Sequence, residues 1–176
     1  MTDWVAAASV IALAASAHGL IRNNRLNAKV SIQQKEAEAT VENLSEGFYR
    51  SSMDGTMLYA NPALAAMNGY ENAGDFVAAV NDKKCGLYLD TSRRAEFMQA
   101  ILTHDALKDF VSEIACVGTG KRMWITENAR IIRNGKTGKP ECYEGTVRDI
   151  SDYVMRMREK EALIARQFVE PYAVDG

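Results

Sequence analysis

Helical periodicity free of Gly and Pro brackets both ends of this chain, and that bracket limits the fold more than any other feature. From Leu26 to Leu44 there is no Gly or Pro, and Val30, Ala37, Val41, Leu44 and Phe48 recur at spacings of seven, four, three and four. This is the apolar seam of a coiled coil. Gln33, Lys35, Glu36, Glu38 and Glu42 fall on the other face. At the far end Ile150, Val154, Met157 and Ile164 follow spacings of four, three and seven, with Arg156, Arg158, Glu159 and Lys160 outside them. Glu161 takes a seam position and weakens that heptad, and the pattern stops at Pro171. Such stripes are buried only against another helix, so the spacing predicts a homodimer through Val30, Val41, Leu44, Val154 and Met157.

Between the brackets lie roughly a hundred residues, the size of one domain. Gly47 to Ser51 and Thr56 to Ala60 read as strands joined at Met53-Asp54-Gly55, because Asp-Gly tolerates the positive φ of a tight turn. Asn61-Pro62 puts a capping side chain before a proline at the first helical position, and that helix ends at Gly69. Asp75 to Val80 and Thr91 to Thr103 read as helices, the second with Phe97, Ile101 and Leu102 on one side. Three strands follow, Phe110 to Val117, Arg122 to Arg133 and Glu141 to Asp149, separated by Gly118-Thr119-Gly120 and Asn134-Gly135. The order predicts an α+β domain: a five-stranded antiparallel sheet with short helices on one face.

The remaining segment is the N-terminal run from Trp4 to Ile21, which lacks Asp, Glu, Lys and Arg and is followed by Arg22, Arg25 and Lys29. Its length is at the short edge of a membrane span. The basic cluster would hold the C-terminal bulk of the chain in the cytoplasm, on the inner face of the membrane. The alternative is a helix paired with a partner helix, since Val10, Leu13, Ala17 and Leu20 repeat at helical spacing and Ala8, Ala12 and Ser16 allow close approach. The chain thus divides into an apolar helix at 1–22, a connector helix at 23–44, a domain at 45–150, an outgoing helix at 151–170 and a tail at 171–176.

Charge and cysteine usage exclude several classes. Twenty-one basic and 23 acidic residues leave a net charge of −2, so no bulk field favours nucleic acid. Three Cys without a C-x-x-C, and two His, predict neither a structural metal site nor a disulfide framework. Gly118-Thr119-Gly120-Lys121 and Gly135-Lys136-Thr137 are not phosphate loops, because each joins two strands rather than a strand to a helix. No hydrolase motif is present, and no catalytic residue is expected.

Glu46-Gly47-Phe48, Asp54-Gly55, Asn61-Pro62-Ala63, Gly69-Tyr70, Trp124, Glu144-Gly145-Thr146 and Asp149-Ile150-Ser151 stand in the order found in the PAS sensor domain, and residues 44–152 resemble that family. The last tripeptide is similar to the family's Asp-Ile-Thr, with Ser in place of Thr. The resemblance implies an input module of bacterial signalling. It would dimerise through its flanking helices and relay a ligand, redox or partner signal to an output domain elsewhere. The alternative is a PAS-fold dimerisation or scaffold protein with no ligand. Any kinase or cyclase output would lie outside these residues. Asp149, Ile150 and Ser151 would couple domain to helix, with Ser151 capping the helix and Asp149 adding charge at its positive end.

The resemblance names no cofactor. Haem-binding members supply a His from the long helix, and Thr91 to Thr103 contains none; His104 follows it. Light-sensing members place a reactive Cys in Gly-x-Asn-Cys-Arg-Phe-Leu-Gln, of which Asp82-Lys83-Lys84-Cys85-Gly86-Leu87 keeps only the cysteine. On the central strand, Trp124, Thr126, Asn128 and Arg130 share one face, and Met123, Ile125, Glu127, Ala129 and Ile131 the other. Tyr88, Trp124 and Asn128 are the pocket candidates for a small molecule.

Overall fold

The structure, a computed structural model, describes residues 29–83 and 87–169. The chain divides into two units, with the boundary between Glu42 and Asn43. In the first, helix α1 spans residues 29–42. Its turns are tied by the Thr40 hydroxyl, which donates to the Glu36 carbonyl at 2.8 Å, and by Gln34 donating to Glu38 at 3.3 Å. Val30 and Ile32 are exposed on it. The apolar helix expected at 1–22, and residues 23–28 of the connector, lie outside the described residues.

The second unit carries the sheet. Strand β1 (Gly47–Ser52) and β2 (Met57–Ala60) precede three helices: α2 (Pro62–Met67), α3 (Ala73–Lys83) and α4 (Thr91–His104). Strands β3 (Ala106–Ala115), β4 (Arg122–Arg133) and β5 (Pro140–Asp149) follow, then helix α5 (Ser151–Val169). The sheet order is β2-β1-β5-β4-β3 and every pairing is antiparallel. The expected α+β architecture is what the chain adopts.

Local chemistry sets these elements. Gly55 takes φ +93° in the β1–β2 turn, a conformation that favours glycine. Asn61 is completely buried and ties three segments together. Its Oδ1 accepts from the Leu64 amide at 3.0 Å, capping α2, and from the Phe48 amide at 2.8 Å. Its Nδ2 donates to the Glu46 carbonyl at 3.0 Å. Asn72 does similar work for α3, accepting from the Gly74 and Asp75 amides at 2.6 and 3.2 Å, so that helix begins earlier than Asp75.

Three expectations are corrected. The seam of the connector does not run on through Leu44 and Phe48, because α1 stops at residue 42. Phe48 lies in β1 opposite Thr146, and its ring meets Tyr59 edge-on at 6.1 Å. Pairing with β5 requires extended backbone there, and tertiary pairing overrides helical spacing. Leu44, expected among the dimer contacts, lies in the link beyond the helix. On α4, Phe97 and Ile101 are buried but Leu102 is 53% exposed, since one residue beyond Ile101 is a turn of about 100° away from the core. Strand β3 starts at Ala106 rather than Phe110. A register shift between Leu107 and Phe110, with Asp109 at φ 51°, lets the polar stretch join the sheet.

The core lies between the sheet and the helices. Tyr49, Met57, Ile114, Met123, Ile125, Tyr143 and Val147 come from the strands, and Leu64, Phe76, Phe97 and Ile101 from the helices. Phe97 packs at 5.7 Å centroid distance against both Phe110 and Tyr143. On the opposite face Glu144 is held by two arginines, with Arg50 Nη2 and Arg130 Nη2 each donating at 2.7 Å. Burial pushes the Glu144 carboxyl up, but the two guanidinium groups outweigh it and hold the carboxyl below its usual range.

Candidate functional site

Strand alternation decides what faces the core. On β4 the odd-numbered positions turn inward, so Glu127 shares that side with Met123, Ile125, Ala129 and Ile131, all of them buried. A carboxylate among apolar side chains is costly unless it is hydrogen-bonded. Glu127 is 5% exposed and has two phenol partners. Tyr49, from β1, donates to its Oε1 in a short hydrogen bond. Tyr88, which precedes α4, donates to its Oε2 at 2.8 Å. An isolated bridge between Tyr88 and Ile114 fixes the loop that carries that phenol.

These groups line a cavity of about 500 Å³ between sheet and helices. Its apolar wall includes Leu64, Val80, Leu87, Ile114, Ile125 and Val147. Its other polar groups include Arg94, Tyr143, Ser51 and the turn residues Asp54, Gly55 and Thr56. Arg94, on the first turn of α4, donates from Nη2 to the Tyr143 hydroxyl at 2.7 Å. Its guanidinium carbon stands 5.5 Å from the Phe97 ring centroid and 5.6 Å from that of Tyr143. Gly55 makes room for it, since a Cβ there would come within 2.7 Å of Arg94 Nη2.

The charges follow from this packing. Burial pushes the Glu127 carboxyl above its usual range, against the two phenol hydrogen bonds and Arg94, which pull it down. Burial, and then the negative charge of Glu127, raise both Tyr49 and Tyr88, so they remain neutral donors. Burial acts to lower Arg94, but the neighbouring tyrosines, Tyr143 foremost, outweigh it, and the guanidinium stays protonated. When Glu127 is ionised, the cavity has a negative pole on the sheet, a positive pole on α4 and apolar walls between. Among the described residues no group of His, Cys, Asp and Glu is arranged to hold a metal ion.

Of the residues singled out from sequence, Tyr88 lines the cavity. Trp124 and Asn128 do not. They occupy even-numbered positions of β4 and point to the opposite face, which is why the pocket side belongs to Glu127. Asn128 Oδ1 accepts from the Asp109 amide at 2.8 Å and so supports the shifted stretch of β3. Cys85 lies outside the described residues. Glu127, Tyr49, Arg94 and Tyr143 were missed. The signal that could have found them is Glu127 itself, the one acid on an otherwise apolar strand face.

Trp124 belongs to a second constellation, at the exit of the domain. Its amide donates to Ser151 Oγ at 3.0 Å, and its carbonyl accepts from the Ile150 amide at 2.8 Å. Asp149 Oδ1 accepts from the Ser151 amide at 2.8 Å. Arg158, two turns along α5, places its guanidinium carbon 5.2 Å from the Trp124 ring centroid. The capping role expected of Ser151 thus falls to Asp149, because the Ser151 hydroxyl is already turned back onto β4. Val154 continues the helix by donating to the Ile150 carbonyl at 3.0 Å. Tyr153, Met157 and Ile164 are exposed on α5. No helix among the described residues is long and apolar enough to cross a membrane, and the run from Trp4 to Ile21 lies outside them.

No family model matches the sequence, and no curated protein matches it. Solved structures match in shape. The chain is similar to an RNA-binding light-oxygen-voltage receptor at TM-score 0.59 and 21% identity, over 77% of this chain and 38% of that one. This chain therefore spans well under half of that receptor. It is also similar to a PAS domain from a two-component sensor histidine kinase, at TM-score 0.54 and 14% identity, over 68% of this chain and 98% of that domain. A PAS domain of an HTR-like protein from Haloarcula marismortui matches at TM-score 0.53 and 21% identity, over 72% of this chain and 99% of that domain. At these identities the likeness establishes the fold.

Proposed function

We propose that this chain is a sensory input module: its cavity takes a small molecule, and the occupied state is relayed through β4 to α5. The observation that carries this reading is that one strand serves both ends. Glu127 on β4 forms the polar floor of the cavity, and three residues earlier Trp124 on the same strand holds the start of α5 through Ser151 and Ile150. A displacement of that strand would reach the helix directly, and a stiff helix transmits small rotations. Asp149, Ile150 and Ser151 are the coupling residues of this proposal, and Tyr88 is the pocket residue it keeps from the sequence.

The output would lie on another chain or on a further part of this one, and the module itself performs no catalytic step. Homodimerisation through Val30 on α1 and Val154 and Met157 on α5 supplies the register that a relayed motion would alter. Val41 belongs to the same proposed seam. The basic cluster at Arg22, Arg25 and Lys29 supports a cytoplasmic placement of the module, with residues 4–21 as its candidate anchor on the inner face.

The test joins assembly to relay. Sedimentation of the full chain is expected to give a dimer that Val30→Glu with Met157→Glu dissociates, since both side chains are exposed within their own units. Amide hydrogen exchange along 150–160 is expected to change when the cavity is filled. A monomeric wild-type chain, or a filled cavity without altered exchange at α5, would refute the relay.

A further inference from the structure

Resting on the proposed small-molecule role of the cavity, we infer that its occupant is an organic monocarboxylate. Its carboxylate would be forked by Arg94 and the Tyr143 hydroxyl, and its apolar body would lie against Leu64, Val80, Ile114 and Ile125. The hydrogen bonds already made around the cavity point to this class. Each Glu127 oxygen already accepts from a phenol, so the negative pole has internal partners. Asp54 Oδ1 is likewise engaged, by the Ser52 hydroxyl and by the Thr56 amide at 3.0 Å. Asn81 spends its amide on the Met57 backbone, at 2.9 Å in both directions.

The demand left over is for acceptors. Arg94 has five N–H groups, and a single hydrogen bond, to Tyr143, engages them among the described residues. Because Tyr143 accepts that bond, its own proton is left to donate. A planar carboxylate answers a guanidinium fork with two parallel bonds, which is the strong geometry for this pair.

The same groups set specificity. Arg94 is the cationic side chain of the cavity lining, whereas Asp54 and Glu127 carry the opposite charge there. A second carboxylate on the ligand would meet one of these two, so dicarboxylates are disfavoured. A ligand ammonium would face Arg94. The wall of Leu, Val and Ile side chains favours an aliphatic or aromatic body over a sugar.

The experiment is calorimetric titration of the full chain with butanoate, hexanoate, decanoate and phenylacetate, beside hexanamide, hexylamine and hexanedioate. Arg94→Met and Arg94→Lys are run in parallel, after circular dichroism has shown that both fold. Monocarboxylates are expected to bind and the other probes to bind at least about tenfold more weakly. Arg94→Met is expected to lose about tenfold to a hundredfold, the loss of one charge-assisted bidentate pair, and Arg94→Lys is expected to recover part of it. If the amide binds as well as the acid, and Arg94→Met leaves both unchanged, the carboxylate inference is overturned while the ligand-binding role stands. If hexylamine is preferred, Glu127 is the recognition pole and the inference is overturned. If no probe binds the folded chain, the inference is overturned; the ligand-binding role is then tested separately, by whether native mass spectrometry of the purified chain finds any small molecule retained.

Discussion

Replacing Tyr49 with Phe removes one oxygen and nothing else, and it asks whether Glu127 is ionised in the folded chain. Tyr49 is 5% exposed, its ring stacks edge-on with Tyr143 at 6.0 Å, and its hydroxyl donates to a buried carboxylate. The Phe ring keeps the packing. What is lost is a hydrogen bond to a charged acceptor, and Glu127 Oε1 is left without its phenol donor. For an ionised, buried partner this costs about 2–3 kcal/mol. A domain of this size loses roughly 4 °C of melting temperature per kcal/mol, so a fall of about 8–12 °C is expected at neutral pH.

The pH dependence discriminates further. Because the folded Glu127 carboxyl is raised above the unfolded value, its contribution favours the folded state at low pH. That contribution is lost as pH rises through the folded value. The Tyr49 hydrogen bond is one of the influences pulling the folded value back down. Without it the value rises further, and the penalty at alkaline pH grows. Where the folded carboxyl is protonated, below its raised value, the substitution costs only a neutral hydrogen bond, about 1 kcal/mol. The cost of Tyr49→Phe, from urea unfolding at about pH 4.5 and about pH 8, is therefore expected to be larger at the higher pH. In a Glu127→Gln background this pH dependence should vanish. A cost independent of pH, or larger in acid, would mean that Glu127 is not an ionised acceptor, and the reading of the cavity's negative pole would fail.

Two further substitutions probe the sheet and the exit. A Cβ at Gly145 would stand 2.5 Å from the Asn128 carbonyl oxygen and 2.9 Å from the Tyr49 hydroxyl, so Gly145→Ala is expected to destabilise by about 2–4 kcal/mol. Combined with Tyr49→Phe, which removes the hydroxyl but keeps the ring carbon at 3.0 Å, Gly145→Ala should cost less than it does alone, and strictly additive costs in chemical denaturation would contradict the hydroxyl contact. Ser151→Ala deprives the Trp124 amide of its acceptor and is expected to cost about 1 kcal/mol while speeding hydrogen exchange at Trp124. Unchanged exchange there would show that the hydroxyl does not hold the strand.

What could be read from sequence is what depends on neighbours in the chain. The turn at Asp54-Gly55, the cap at Asn61 and the start of α5 at Ser151 are each specified within a few residues, and each is where local chemistry puts it. The Leu44 and Phe48 seam and the early start of β3 at Ala106 followed no local rule. In the first, strand pairing with β5 replaced a helical repeat; in the second, pairing with β4 recruited a polar stretch whose Asp105 and Asp109 take positive φ. The cavity was least legible, because its polar groups converge from β1, the loop before α4, α4, β4 and β5. Alternation on β4 alone could sort Glu127 from Asn128, and it could not say which face the helices would cover.

That alternation also restricts how the proposed signal could leave the cavity. Glu127 points into it, while Trp124, on the far face, turns toward α5 and Arg158. Residues of opposite parity on a strand share no side-chain contact surface, so the backbone of β4 is what they have in common. The Trp124 backbone meets the start of α5 through two hydrogen bonds, one to the Ser151 hydroxyl and one from the Ile150 amide. A ligand that merely filled apolar space could leave that backbone where it is. One that shifts Glu127, or changes its charge against Tyr49 and Tyr88, pulls on the strand itself. In the proposed relay, the polar floor rather than the volume above it is therefore the part of the cavity able to act on the helix.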